Sequence, residues 1–239
     1  MSLSADGGPA PTQRVLVINP NTNPLVTARV REVAQRYAHA HLHFEVINPA
    51  SGPFSIESDE DKRVAERHAL DLMAQARLQS YDAYVLACFD DLALQAARGM
   101  LAVPVLGCCE AGIAAARLVS PALAIVTTVS AALPGIRIMM RRYGAGDLAT
   151  VRAAEVGVDE AARSEPDTQA RLLDAVSAAV RSDGAQVILL ASGGLTGQAE
   201  RISCQAGVPV VDAVEAALRQ AARLCTRGLA LSRFTGSPN

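Results

Sequence analysis

Cys88 follows the apolar run Tyr84-Val85-Leu86-Ala87 and precedes Phe89 and two carboxylates, Asp90 and Asp91. A short apolar run bounded by polar residues reads as a strand buried on both faces. In parallel α/β sheets, ligands bind just past the carboxyl ends of strands, and Cys88 stands at that place. Residues 92–101 are rich in Ala and Leu and read as a helix, with Asp90 or Asp91 as its N-cap. A thiol at a helix N-terminus loses its proton more readily than a free one. The stretch therefore offers a nucleophile or a general base. A buried structural cysteine fits the same pattern, because free Cys behaves as a small hydrophobe.

Three other loops end apolar runs in the same way. Asn19-Pro20-Asn21-Thr22 follows Val15–Ile18, Thr127-Thr128 follows Leu123–Val126, and Ser192-Gly193-Gly194 follows Val187–Leu190. Amides, hydroxyls and loop N–H groups make a cradle for carboxylate or imide oxygens. Glycines after a strand let backbone N–H groups approach an oxyanion. The Ser192 loop is equally readable as a plain tight turn. It lacks Gly-Lys-Ser/Thr and the dinucleotide glycine spacing, which argues against a phosphate-cradling loop.

Positioning these loops requires a repeated β–α pattern. Strands are expected at 15–18, 42–47, 84–88, 103–107, 123–126, 150–156, 187–190 and 208–212. Helices are expected at 24–37, 58–79, 92–101, 109–118, 166–182 and 213–226, with another after Ser130 that carries Ile136, Met139, Met140 and Tyr143 on one stripe; the first is capped by Asn23 with Pro24 at its first position. The two halves align: Val103-Pro104-Val105-Leu106-Gly107-Cys108-Cys109-Glu110-Ala111 matches Val208-Pro209-Val210-Val211-Asp212-Ala213-Val214-Glu215-Ala216, and Arg36-Tyr37 answers Arg142-Tyr143. The expected fold is α/β, with two pseudo-symmetric parallel-sheet domains from an internal duplication and the active-site cleft between them. Residues 14–112 plus 211–239 form one domain and 113–210 the other, after a loose leader over 1–13.

Composition narrows the partners. The chain has 239 residues, 50% apolar, with net charge −2 and only 3% aromatics. That argues against nucleic-acid and membrane partners, and no run is long enough to span a bilayer. Five cysteines without a Cys-x-x-Cys pair suit a reduced, cytoplasmic chain. His39, His41 and His43 alternate but have no accompanying acidic or cysteine ligand, so no metal is expected there. The only lysine, Lys62, lies in a charged run that reads as a solvated helix start.

Together, Ile18-Asn19-Pro20-Asn21-Thr22, Gly52-Pro53-Phe54-Ser55-Ile56-Glu57, Ala87-Cys88-Phe89-Asp90-Asp91 and Val126-Thr127-Thr128 resemble the aspartate/glutamate/hydantoin racemase superfamily. The likeness is nearest to its hydantoin and allantoin racemases and covers most of residues 14–226. It implies cofactor-independent racemisation of a small-molecule substrate, with one cysteine on each side of an acidic carbon; a homo-oligomer is also expected. Cys88 matches the first cysteine. The second loop of the family carries a thiol where this chain has Ser192, and an unassisted hydroxyl is a far poorer acid–base partner. Three readings of Ser192 remain: an introduced Cys-to-Ser replacement, one-cysteine chemistry, or a ligand-binding protein on the same scaffold. Arylmalonate decarboxylases are similar one-thiol relatives, but their thiol sits in the second loop. The expected site is Cys88 and Ser192 as catalytic pair, with Asn19, Asn21, Thr22, Ile56, Phe89, Asp90, Thr127, Thr128, Gly193 and Gly194 around the substrate.

Overall fold

Gln13–Ile18 (β1) pairs in parallel with Leu42–Ile47 (β2) on one side and Ala83–Leu86 (β3) on the other. Val105–Gly107 (β4) completes a sheet of order β2-β1-β3-β4. The second sheet repeats that order. It is built from Leu123–Thr127 (β5), Ala149–Ala153 (β6), Val187–Leu190 (β7) and Val210–Asp212 (β8), arranged β6-β5-β7-β8, all parallel. The computed structural model describes residues 12–226. Most of the expected leader, and residues 227–239, lie outside them; Gln13, assigned to the leader, already pairs with Leu42.

The central strands β1, β3, β5 and β7 are almost wholly buried. Helices on both sheet faces require that, and it explains their unbroken Val, Leu and Ile content. Helices Pro24–Gln35 (α1), Asp59–Ala76 (α2), Leu94–Met100 (α3), Cys108–Val119 (α4), Leu133–Arg142 (α5), Val158–Arg163 (α6), Pro166–Asp183 (α7), Ala199–Ala206 (α8) and Ala213–Thr226 (α9) supply the cover. Local chemistry fixes their starts. Asn23 caps α1 by accepting from Leu25 and Val26 N–H with Pro24 next, and Ser58 and Asp61 form a capping box on α2. Among the described residues, no helix is long and apolar enough to cross a membrane.

α4 and α9 tie the halves together. α9 packs on β3, β4 and β2 of the first sheet, while α4 packs on β7 and β8 of the second and against α9. The passage from the first half to the second therefore runs through α4, and residues 112 and 113 both lie inside that helix. Gly112 makes the crossing possible, since a Cβ there would meet Leu189 and Ala213 at 2.8–3.1 Å. Two equivalent tyrosines fasten these helices. Tyr37 donates to Glu215 Oε1 at 2.5 Å at the start of α9, and Tyr143 donates to Asp91 Oδ2 at 2.8 Å at the start of α4.

Candidate active site

The strand ends of both sheets open on one cleft. Asn19, Asn21, Ile56, Cys88, Phe89 and Asp90 line it from the first half, and Thr127, Thr128, Val158, Ser192 and Gly193 from the second. β1 and β3 set the first wall: Ala87 N–H donates to Ile18 O at 2.8 Å, so Cys88 sits one residue past the pairing. β5 and β7 set the second wall by the same device, with Ala191 N–H donating to Val126 O at 2.9 Å and Ser192 next. The two walls approach closely: a Cβ on Gly193 would already lie 3.6 Å from Ala87 O.

Each wall is held by a polar network. Asn19 is fully buried and its amide donates to Asn21 Oδ1 at 2.8 Å and Thr27 Oγ1 at 3.0 Å. Asn21 Oδ1 in turn accepts from Asn23 N–H at 3.0 Å. Across the cleft, Thr127 Oγ1 donates to Ala191 O at 3.0 Å. Thr128 Oγ1 reaches Ser192 Oγ at 3.5 Å, a long contact, and Gly194 N–H donates to Ser192 Oγ at 3.3 Å. Satisfied buried networks of this kind fix side-chain geometry.

Thr22 and Gly194 stand behind the lining. Thr22 N–H and Oγ1 both donate to Pro53 O, at 2.9 and 3.2 Å, which anchors the loop that delivers Ile56. Gly194 is buried against Val158 O, where a Cβ would overlap the carbonyl. Sequence reasoning missed the short helix α6. Its N-terminus is docked on the first half: Val158 N–H donates to Glu57 Oε1 at 2.9 Å and Asn23 Nδ2 donates to Asp159 Oδ1 at 2.8 Å. The signal was present in Glu57, which closes the Gly52–Glu57 motif, but its partner is 101 residues away.

Two expectations about Cys88 are corrected. α3 does not begin at Leu92; it begins at Leu94, after Ala93 in the left-handed region with φ 64° and no side-chain cap. Neither aspartate caps it. Asp91 accepts instead from Cys109 and Glu110 N–H at 2.9 and 3.1 Å and caps α4. With no helix N-terminus at the sulfur, the thiol is not made more acidic. Burial, then the neighbouring Asp90 carboxylate, push it up from its ordinary value, against the opposing pull of the Asp90 N–H and Lys62. Cys88 therefore rests as a thiol. Lys62 is not solvated either: it pairs with Asp90 Oδ1 at 2.6 Å. Among the described residues, no group of three or more His, Cys, Asp or Glu is placed to hold a metal.

Two strand-end loops, one from each half of a doubled α/β scaffold, thus bring a thiol and a hydroxyl to one cleft. The family model for Asp/Glu/hydantoin racemase matches residues 15–221, and the chain belongs to that family. It is 35% identical to a hydantoin racemase of Rhizobium meliloti over 91% of this chain and 90% of that one. It is 34% identical to a hydantoin racemase of Paenarthrobacter aurescens, covering 92% and 94%. Among solved structures, an allantoin racemase from Klebsiella pneumoniae superposes with a TM-score of 0.87 at 30% identity, covering 94% and 92%.

Proposed function

We propose that this protein is a racemase acting on a small cyclic ureide of the hydantoin or allantoin kind, by proton transfer at the carbon beside a carbonyl. The observation that carries this is that Cys88 and Ser192, from opposite halves, line one cleft. A carbon acid held between them presents one face to each. Cys88, as thiolate, removes the proton; the enolate oxygen is met by Thr128 and the Gly193 N–H, while Asn19 and Thr127, whose donors are engaged by Asn21, Thr27 and Ala191, hold the walls in place; Ser192 returns a proton from the other side. The hydantoin and allantoin racemases it resembles support the substrate class.

Ser192 lowers the expected rate. A serine hydroxyl without an activating base donates and accepts protons poorly, and Thr128, at 3.5 Å, is its nearest side-chain partner. Inversion should therefore be slow compared with chemistry on the Cys88 face. The same feature favours a second reading, one-thiol decarboxylation of a substituted malonate, in which Cys88 protonates the enediolate left by carbon dioxide.

The test is incubation of single enantiomers of 5-substituted hydantoins and of allantoin with the protein, followed by polarimetry. Loss of optical rotation that Cys88→Ala abolishes is expected. No change with any of them, together with carbon dioxide release from an arylmalonate, would replace the racemase by the decarboxylase.

A further inference from the structure

Neither group that flanks the cleft is a base at rest. Cys88 is held as a thiol, and a hydroxyl is weaker still. Taking a proton from carbon needs the thiolate, so something beside Cys88 must favour negative charge. Of the charged groups around it, Asp90 and Asp91 have the wrong sign. Cys108 and Cys109, behind it at the start of α4, are pushed up by burial and stay neutral. The cation that acts on the sulfur is Lys62, the only lysine in the sequence.

Lys62 is built into the seam between the halves. It projects from α2, with Nζ 2.6 Å from Asp90 Oδ1, and each side chain keeps only 21% of its exposure. Asp59, one turn back on α2, also faces it. Opposite stands Gly135 of α5, in the second half. A Cβ at that position would lie 3.1 Å from Lys62 Nζ and 3.7 Å from Asp90 Oδ1, so the ammonium sits in the notch that this glycine leaves. A fully exposed pair would be screened and worth little; a half-buried one keeps its field at the neighbouring sulfur.

The geometry points to Lys62 as a positioning residue for Cys88: by holding the Asp90 carboxylate and balancing its charge, it lets the thiol ionise. This rests on Cys88 being the proton-transfer group, but its test needs no substrate.

The experiment is alkylation of the native protein by iodoacetamide across pH, followed at Cys88 by peptide mass spectrometry, with the exposed Cys204 as internal reference. Lys62→Met should move the Cys88 midpoint up by about one pH unit and slow its alkylation roughly tenfold below that midpoint. Lys62→Arg should keep most of the wild-type rate. Lys62→Met combined with Asp90→Asn, which removes both charges, should recover it. A Cys88 profile unchanged or faster in Lys62→Met overturns the inference. So does a double variant as slow as Lys62→Met, since that outcome marks a purely structural loss. Should every exchange and racemisation assay fail while these profiles move as stated, the proposed substrate falls and the Lys62 assignment stands.

Discussion

The carboxylate of Asp91 fills the space that a side chain at position 107 would need. A Cβ built on Gly107 overlaps that carboxylate, which caps α4 from the loop after β3. In the second half, the residue aligned with Gly107 is Asp212. Its own carboxylate accepts from Val214 and Glu215 N–H at 2.9 and 3.2 Å and reaches back to Gly197 N–H at 2.6 Å. Each half thus places one carboxylate on the helix N-terminus, supplied from opposite sides of the same junction.

Gly107→Ala should therefore cost about 2–4 kcal/mol, by overlap with Asp91 and loss of the α4 cap. In an Asp91→Ala background most of the overlap is gone, and the same substitution should cost less than half as much. Urea denaturation of the two single variants and the double variant measures this coupling. Strict additivity would show that Asp91 is not what excludes a side chain at 107.

Burial pushes both Asp91 and Asp212 up to about 6, although backbone N–H groups pull the other way. In the unfolded chain both titrate near 3.9. Between about pH 4 and pH 6 the folded protein then binds more protons than the unfolded one, so stability falls as pH rises through that window and levels above it. Asp61 and Asp183, held low chiefly by hydrogen bonds to Ser58 and Arg152, lose their contribution only as pH drops below about 4. Unfolding free energies should be larger near pH 4.5 than at pH 7, and Asp91→Asn should flatten the slope. A wild-type curve that rises from pH 4.5 to 7 would contradict the assignment.

Thr196 is fully buried, and its hydroxyl has no hydrogen-bond partner among the described residues. A buried orphan hydroxyl costs free energy that a methyl of the same shape does not. Thr196→Val should stabilise the protein by about 1 kcal/mol in thermal or urea unfolding. Destabilisation by a similar amount would show that the hydroxyl has a partner in solution.

Ser192→Cys places a thiol on the second wall, and racemisation should rise by about 10²-fold or more, the scale of a positioned acid–base group. The readout is the initial rate of optical-rotation loss, with Ser192→Ala as the reference. Equal rates for the native chain and Ser192→Cys would mean that residue 192 does not deliver the proton.

Much of this was legible in the residues. The central strands are short apolar runs with no polar interruption, and the repeat of Val-Pro-Val followed by Glu-Ala exposed the duplicated α/β unit, though not its strand order. Asn23-Pro24 and Ser58 marked helix starts because capping is local chemistry. What failed was long-range. Asp91 looked like a cap for the chain just after it, yet it caps a helix beginning 17 residues on, because Ala93 turns the backbone away. Lys62 looked solvated amid its charged neighbours, and only the tertiary approach of Asp90 and Gly135 buries it. α6 is too short to show helical periodicity, and its docking partners Asn23 and Glu57 are more than a hundred residues away.

The central claim is that a proton is exchanged at one carbon by Cys88 on one face and, less readily, by Ser192 on the other. One experiment addresses it directly: a single enantiomer of a 5-substituted hydantoin is incubated with the protein in deuterated water, and deuterium content and chirality are followed together. Deuterium should enter with retention faster than the enantiomer inverts, Ser192→Cys should bring the two rates together, and Cys88→Ala should stop both. Undiminished exchange in Cys88→Ala would contradict the account.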